Sequence, residues 1–193
     1  YCKLLGVGTD ALVAWGNKIG REEDVTTWEF LKRTGRIGTA AHDKIECNIL
    51  GKEYVPSADL QDDELERAEQ CFENFLHWKE GSKFKPIHTE MSLVSPTYRY
   101  GGTCDCVAEI NGQVCLFDWK SSSSVHETYI IQIAAYGQLL RENGICDPKG
   151  YHLLRIDRDG ASWSHHFWRD VSAGWEIFKH LLEIDKHLKG IKV

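Results

Sequence analysis

The dipeptide Asn111-Gly112 constrains this 193-residue chain more tightly than any other feature. A two-residue type I′ turn needs φ > 0 at both central positions, and Asn-Gly is the pair that adopts it most readily. On either side stand Val107-Ala-Glu-Ile110 and Val114-Cys-Leu-Phe117, both rich in strand-forming residues. With Asn111 and Gly112 as the turn, the register sets Val107 against Leu116. It sets Asp105 against Asp118 on the same face, and Thr103 against Lys120 one pair further out.

Like charges opposed across a hairpin destabilise it. A divalent cation held between the two carboxylates, with Lys120 beside it, is the simplest way to offset that repulsion. The plain alternative is a frayed, solvated strand end carrying a surface Asp and Lys.

The rest of the chain frames this hairpin with helices. Residues 4 to 19 carry helical spacing at Leu12, Trp15 and Ile19. Thr26-Thr-Trp-Glu29 reads as a capped helix start, with Glu29 three residues after the cap. A further helix is expected from Gly35 to Ile49, with His42, Ile45 and Ile49 on one face. Pro56-Ser-Ala-Asp59 precedes a long amphipathic helix ending near Gly81, whose Asp62-Asp-Glu-Leu-Glu66 run suits a solvated first turn.

Strands follow at 86–94, 98–110 and 113–120, then a helix over 127–142 with Tyr129, Gln132, Ile133, Tyr136 and Leu140 on one face. Two more strands, 151–156 and 162–168, flank the Asp157-Arg-Asp-Gly160 turn. Asp170 can cap a last helix whose Val171, Trp175, Phe178 and Leu182 face inward. Strands bracketed by helices on both sides imply an α/β domain with a mixed central sheet. One domain is expected over 1–193, with a helical part over about 1–82 and a catalytic core over about 83–193.

Composition narrows the function classes. A net charge of −6 argues against a generally basic nucleic-acid-coating protein, while leaving room for a local basic groove. The seven cysteines are odd in number and lack zinc-ligand spacing, which implies reduced thiols and a cytoplasmic setting. No apolar run is long enough for a membrane span, so no membrane association is expected. The chain begins at Tyr1 rather than Met, so sequence before it is expected, and no signal peptide is visible in what is given.

Five pieces stand in order: His42 after Gly-Thr-Ala-Ala, Glu90, Gly102-x-x-Asp105, Asp118-x-Lys120 and Gln132-x-x-x-Tyr136. Together they resemble the PD-(D/E)xK nuclease superfamily, and more narrowly its RecB-like branch, which includes phage-type exonucleases. The resemblance spans roughly residues 35 to 136 and implies a restriction-endonuclease-like core.

It further implies that Asp105 and Asp118 hold Mg²⁺ or Mn²⁺, with the Trp119 carbonyl and His42 as additional ligands. Lys120 would orient or activate the attacking water and stabilise charge on the phosphorane. Glu90 would help place metal or water, and Gln132 and Tyr136 would position the site and the DNA backbone. Cys104 departs from the proline of the superfamily's name. The branch's iron–sulfur members use a C-terminal cysteine group, whereas the last cysteine here is Cys146, so no cluster is expected.

The chemistry independently asks for oxygen ligands to a hard cation and for a positive charge near the phosphate. Lys83, Lys85, Arg99 and Tyr100 are candidates for nucleic-acid contact, against a reading as ordinary surface residues. No Gly-x-x-x-x-Gly-Lys-Ser/Thr loop is present, so energy coupling would come from a partner or from missing sequence.

The expected activity is a metal-dependent deoxyribonuclease, an exonuclease in recombination, repair or phage replication, with DNA and recombination or replication proteins as partners. Alternatives are a structure-specific endonuclease on the same core, a silent DNA-binding scaffold, and a small-molecule hydrolase with an accidental motif match.

Overall fold

A computed structural model describes residues 9–190. The elements are α1 (Thr9–Glu22), α2 (Thr27–Leu50), α3 (Asp62–Glu80), β1 (Lys85–Val94), β2 (Gly101–Ile110), β3 (Gln113–Lys120), α4 (Glu127–Glu142), β4 (Tyr151–Ile156), β5 (Trp163–Trp168) and α5 (Ser172–Gly190). One five-stranded sheet runs in the order β1-β2-β3-β4-β5. Only β3 and β4 pair parallel, joined through α4, so the sheet is mixed. This is the expected α/β architecture, a mixed sheet flanked by helices.

The hairpin forms in the register that its turn dictates. Asn111 and Gly112 take φ of 51° and 77°, and Ile110 pairs with Gln113, Val107 with Leu116 and Cys106 with Phe117. Beyond Cys106 the expected register fails. Thr103 pairs with Ser92 of β1 rather than with Lys120, and Lys120 pairs with Arg155 of β4. The two strands part at the aspartates, where the Asp105 carboxylate takes the Trp119 main-chain N–H.

Two cores lie on opposite faces of the sheet. Ile37, Ala41 and Ile45 of α2, with Phe75 and Trp78 of α3, pack over Cys106, Phe117, Trp119 and Leu154. Ile133, Ala134 and Leu140 of α4, with Trp175 of α5, cover Val107, Leu116 and Leu153. Trp119 and Phe75 meet edge to face at 5.4 Å between ring centroids, an arrangement aromatic pairs favour.

Several expectations need correction. The helix expected from Gly35 is the second half of one continuous helix, α2, which starts at the Thr26–Glu29 capping box. Gly38 sits inside it because α2 passes close to the end of β3: a Cβ there would lie 3.1 Å from Ser121 Oγ. Leu12 of α1 is 67% exposed, and Trp15 makes that helix's aromatic contact, with Phe30. Residues 4–8 of the expected first helix, and Cys2, lie outside the described residues.

In α3 the acidic first turn is solvated at Asp62, Asp63 and Glu66 but not at Glu64. Glu64 is buried, its Oε2 accepting the Arg36 Nε–H at 3.0 Å and the Gln61 main-chain N–H at 3.1 Å. Along α5, Val171 is buried while Trp175, Phe178 and Leu182 are half-buried. Asp170 does take the N–H of Ser172 at 2.9 Å. The six described cysteines are free thiols. Among the described residues no helix is long and apolar enough to cross a membrane.

Candidate active site

The site forms where the β2–β3 fork opens, and local backbone irregularity on both sides of Asp105 creates it. Toward β3, the Asp105 Oδ2 accepts the Trp119 main-chain N–H at 2.7 Å, a side chain taking a bond that a continuing ladder would give to a carbonyl. Toward β1, the ladder skips Glu90 and Asp105. Glu90 has φ 48°, a left-handed conformation that a glutamate adopts at a cost of about 1–3 kcal/mol and that clusters at functional sites. The Asp105 carbonyl is instead satisfied by the Thr89 hydroxyl at 3.0 Å.

Three elements converge on this opening. His42 of α2 brings Nδ1 to 3.7 Å from Asp105 Oδ1 and 3.9 Å from Glu90 Oε1. One donor atom from each of these three residues falls within 4.8 Å of the others, a spacing that a single cation can bridge. From β3, Asp118 is fully buried, and its Oδ2 lies 2.6 Å from Lys120 Nζ. Neither of its oxygens has a hydrogen-bond partner, and Oδ1 lacks the charged neighbour that Oδ2 has in Lys120. A buried carboxylate oxygen left without a donor is costly unless something else satisfies it. The orphaned oxygen and the set of carboxylates plus one imidazole therefore fit a hard divalent cation.

Burial pushes the Asp105 carboxyl up to about 7; His42 pulls it down and Asp118 pushes it further up. Burial likewise raises Asp118, against the pull of Lys120. Burial alone would lower the His42 imidazole, but the Asp105 and Glu90 carboxylates outweigh it and hold it at about 8. A cation placed between the carboxylates would favour the ionised Asp105 and Asp118 and the neutral His42.

From α4, Gln132 Nε2 donates to the Tyr136 hydroxyl at 2.8 Å, and the Tyr136 ring lies over Gly102. A Cβ at position 102 would stand 2.7 Å from Tyr136 Cε1, which is why the motif carries glycine three residues before its aspartate. Burial raises the Tyr136 phenol, and the charges of Asp118 and Asp105 raise it further.

His42, Glu90, Asp105, Asp118, Trp119, Lys120, Gln132 and Tyr136 are thus gathered at one place. Of the four candidates for nucleic-acid contact, Tyr100 lines a hollow with Gln132 and Tyr136, whereas Lys83 and Lys85 lie toward the turn end of the hairpin. Both lysines are exposed, and Lys85 is paired with Glu109 at 3.1 Å. Glu109 is four residues, or about 13 Å of strand, from Asp105. Arg99 is exposed, with φ 59°, in the turn before β2. Tyr100 is half-buried, its hydroxyl donating to the Ala135 carbonyl at 2.8 Å.

Sequence reasoning did not single out Thr89, Tyr129 or Arg158. Tyr129 carries the Lys120 ammonium over its ring at 5.1 Å, and its helical spacing from Gln132 and Tyr136 already put it on their face. Arg158 Nη1 donates to the Ser121 carbonyl at 2.8 Å and so steadies the strand end just beyond Lys120. It lies in a turn with no motif to mark it.

No family model matches this chain. No curated protein matches it. Among solved structures the chain is similar to an exonuclease candidate from Eubacterium rectale, with a TM-score of 0.50 and 9% identity over 78% of this chain. The match spans 65% of that protein's length, and at this identity it shows a shared fold.

Proposed function

We propose that this chain is a metal-dependent DNA nuclease of the PD-(D/E)xK kind, acting as an exonuclease in recombination, repair or phage replication. The observation that carries the reading is the buried Asp118, with one orphaned oxygen and the other on Lys120, beside the cluster of His42, Glu90 and Asp105. A structural core has no use for these buried charges, because burial without compensation costs several kcal/mol per ion.

Asp105, Asp118, Glu90 and His42 would hold Mg²⁺ or Mn²⁺, with the Trp119 carbonyl as a further ligand. When bound, the cation makes a water more acidic and polarises the phosphoryl oxygens. Lys120, held between Asp118 and the Tyr129 ring, keeps a positive charge where the phosphate gains negative charge. In the reaction, the water oxygen bonds to phosphorus as the bond from phosphorus to the sugar oxygen breaks. Gln132 and Tyr136 brace the α4 side of the opening. The similarity in fold to an exonuclease candidate supports this reading.

The test is degradation of end-labelled single- and double-stranded linear DNA and of a closed circle, with Mg²⁺, Mn²⁺ or EDTA. Metal-dependent loss of linear DNA alone supports the exonuclease. Cutting of the circle would make it an endonuclease. DNA binding without any cleavage would make it a scaffold.

A further inference from the structure

Two hollows meet at Tyr129, and they differ in chemical character. On one side Tyr129 shares a pocket of about 290 Å³ with Lys120 and Arg158, both cationic. On the other it lines an open groove of about 460 Å³ between α4, α5 and the start of β2, with Tyr100, Tyr136, Phe178, Leu181 and Gln132. None of the residues lining that groove carries an ionisable group other than a phenol, and burial pushes the Tyr100 and Tyr136 phenols up, so they stay neutral.

The four aromatic side chains are half-buried rather than packed away. Tyr100 and Phe178 meet edge to face at 4.8 Å, and both line the groove together with Tyr129 and Tyr136. A volume of this size is within the range that holds small organic groups.

We infer that this groove receives an unpaired nucleobase of a single DNA strand whose phosphate lies at the Lys120 side of Tyr129. The inference rests on the nuclease reading above and adds the substrate class. A nucleotide is divided in the same way as the site, into an anionic phosphate and a flat, uncharged, aromatic base. Stacking on aromatic side chains is how proteins hold single strands without reading their sequence. A base inside a duplex has both faces covered by its neighbours and cannot enter such a groove unless it is first unpaired.

The groove's geometry depends on the close approach of α5 to α4. Gly174 permits that approach, since a Cβ there would lie 2.9 Å from the Ile130 carbonyl oxygen.

The experiment measures binding of labelled single-stranded 12-mers in EDTA, each carrying one abasic residue at a different position, alongside the intact strand and its duplex. Cleavage of the intact strand with Mg²⁺ or Mn²⁺ is followed in parallel. The expected result is a loss of about tenfold or more for an abasic residue at one or two adjacent positions, and weaker binding of the duplex. Phe178→Leu, which keeps apolar volume but removes a ring, should flatten that positional profile. Thr128→Trp, a change at an exposed position on the groove rim, should weaken single-strand binding without disturbing the core.

Binding indifferent to base removal, or equal binding of duplex and single strand, overturns the inference, and persisting metal-dependent cleavage would then leave the nuclease reading intact. Base-dependent binding with no cleavage of any substrate would uphold the groove and remove the nuclease reading.

Discussion

The Asp105 carboxylate accepts the Trp119 main-chain N–H at 2.7 Å, at the point where β2 and β3 part. One side chain thereby holds the fork open and faces the cation site, with Oδ2 on the backbone and Oδ1 3.7 Å from His42 Nδ1. The two roles separate by mutation. Asp105→Asn keeps an acceptor for the N–H but removes the charge, whereas Asp105→Ala strands the N–H and should cost about 1–3 kcal/mol.

The charge itself burdens the metal-free fold. An unfolded aspartate ionises near 3.8, while burial holds Asp105 at about 7, so wild type loses stability as pH rises from about 4 to about 7. In EDTA at pH 8, Asp105→Asn should therefore match or exceed wild type, by up to about 4 kcal/mol in denaturant unfolding.

Adding Mn²⁺ or Mg²⁺ should reverse that order. At about 100 times the dissociation constant, binding stabilises wild type by about 2.7 kcal/mol and should leave Asp105→Asn almost unmoved. The gain in Tm should grow between pH 6 and 8, because His42, held at about 8, and Asp105, at about 7, must release protons to become ligands. Thermal melts in matched buffers across that range measure it.

Gly102→Ala tests the packing that supports the site. The new methyl meets Tyr136 Cε1 at 2.7 Å, so the ring must move and its bond from Gln132 with it. The expected cost is about 1–3 kcal/mol in stability. The fall in cleavage rate should exceed the fall caused by Gly160→Ala, an equally small change in the turn before β5, where nothing lies within 4 Å of the added Cβ.

A second pH effect has the opposite sign and a different place. His152 is stacked on Phe117 at 4.4 Å between centroids, and its Nδ1 lies 2.8 Å from His165 Nε2. The Trp78 indole N–H donates to His165 Nδ1 at 3.2 Å, so His165 carries its proton on Nε2 and gives it to His152. Burial lowers His152 to about 4, with His165 adding to the effect.

An unfolded histidine takes its proton near 6.5. The stability held by neutral His152 is therefore complete above pH 6.5 and lost as pH falls toward about 4, by about 3 kcal/mol. Comparing unfolding at pH 7 and 4.5 in wild type and His152→Phe isolates this contribution, and the variant should show the smaller difference.

The sheet and the hairpin register were legible because short-range rules govern them. Asn111-Gly112 admits one turn, and alternation then fixes which residues face which core. The same rules could not show where pairing stops. That depends on Glu90 adopting a left-handed backbone and on Asp105 capturing Trp119, and neither leaves a mark in spacing. The continuity of α2 through Gly35 and Gly38 was hidden for a related reason. A glycine kept for close approach to Ser121 looks in sequence like a break between helices. Tyr129 carried helical spacing that placed it correctly, whereas Arg158 acts through a carbonyl far along the chain and offered no local signal.

The most direct test of the metal-dependent nuclease is the single-turnover cleavage rate of a labelled linear DNA strand with Mn²⁺, in wild type and Asp118→Asn. The substitution is nearly isosteric at a fully buried position and removes the charge that Lys120 and the cation require. The account predicts a rate at least about a thousandfold lower in the variant, as for loss of a group that stabilises the transition state, with wild type silenced by EDTA. Equal rates in the two proteins, or cleavage that persists in EDTA, would contradict it.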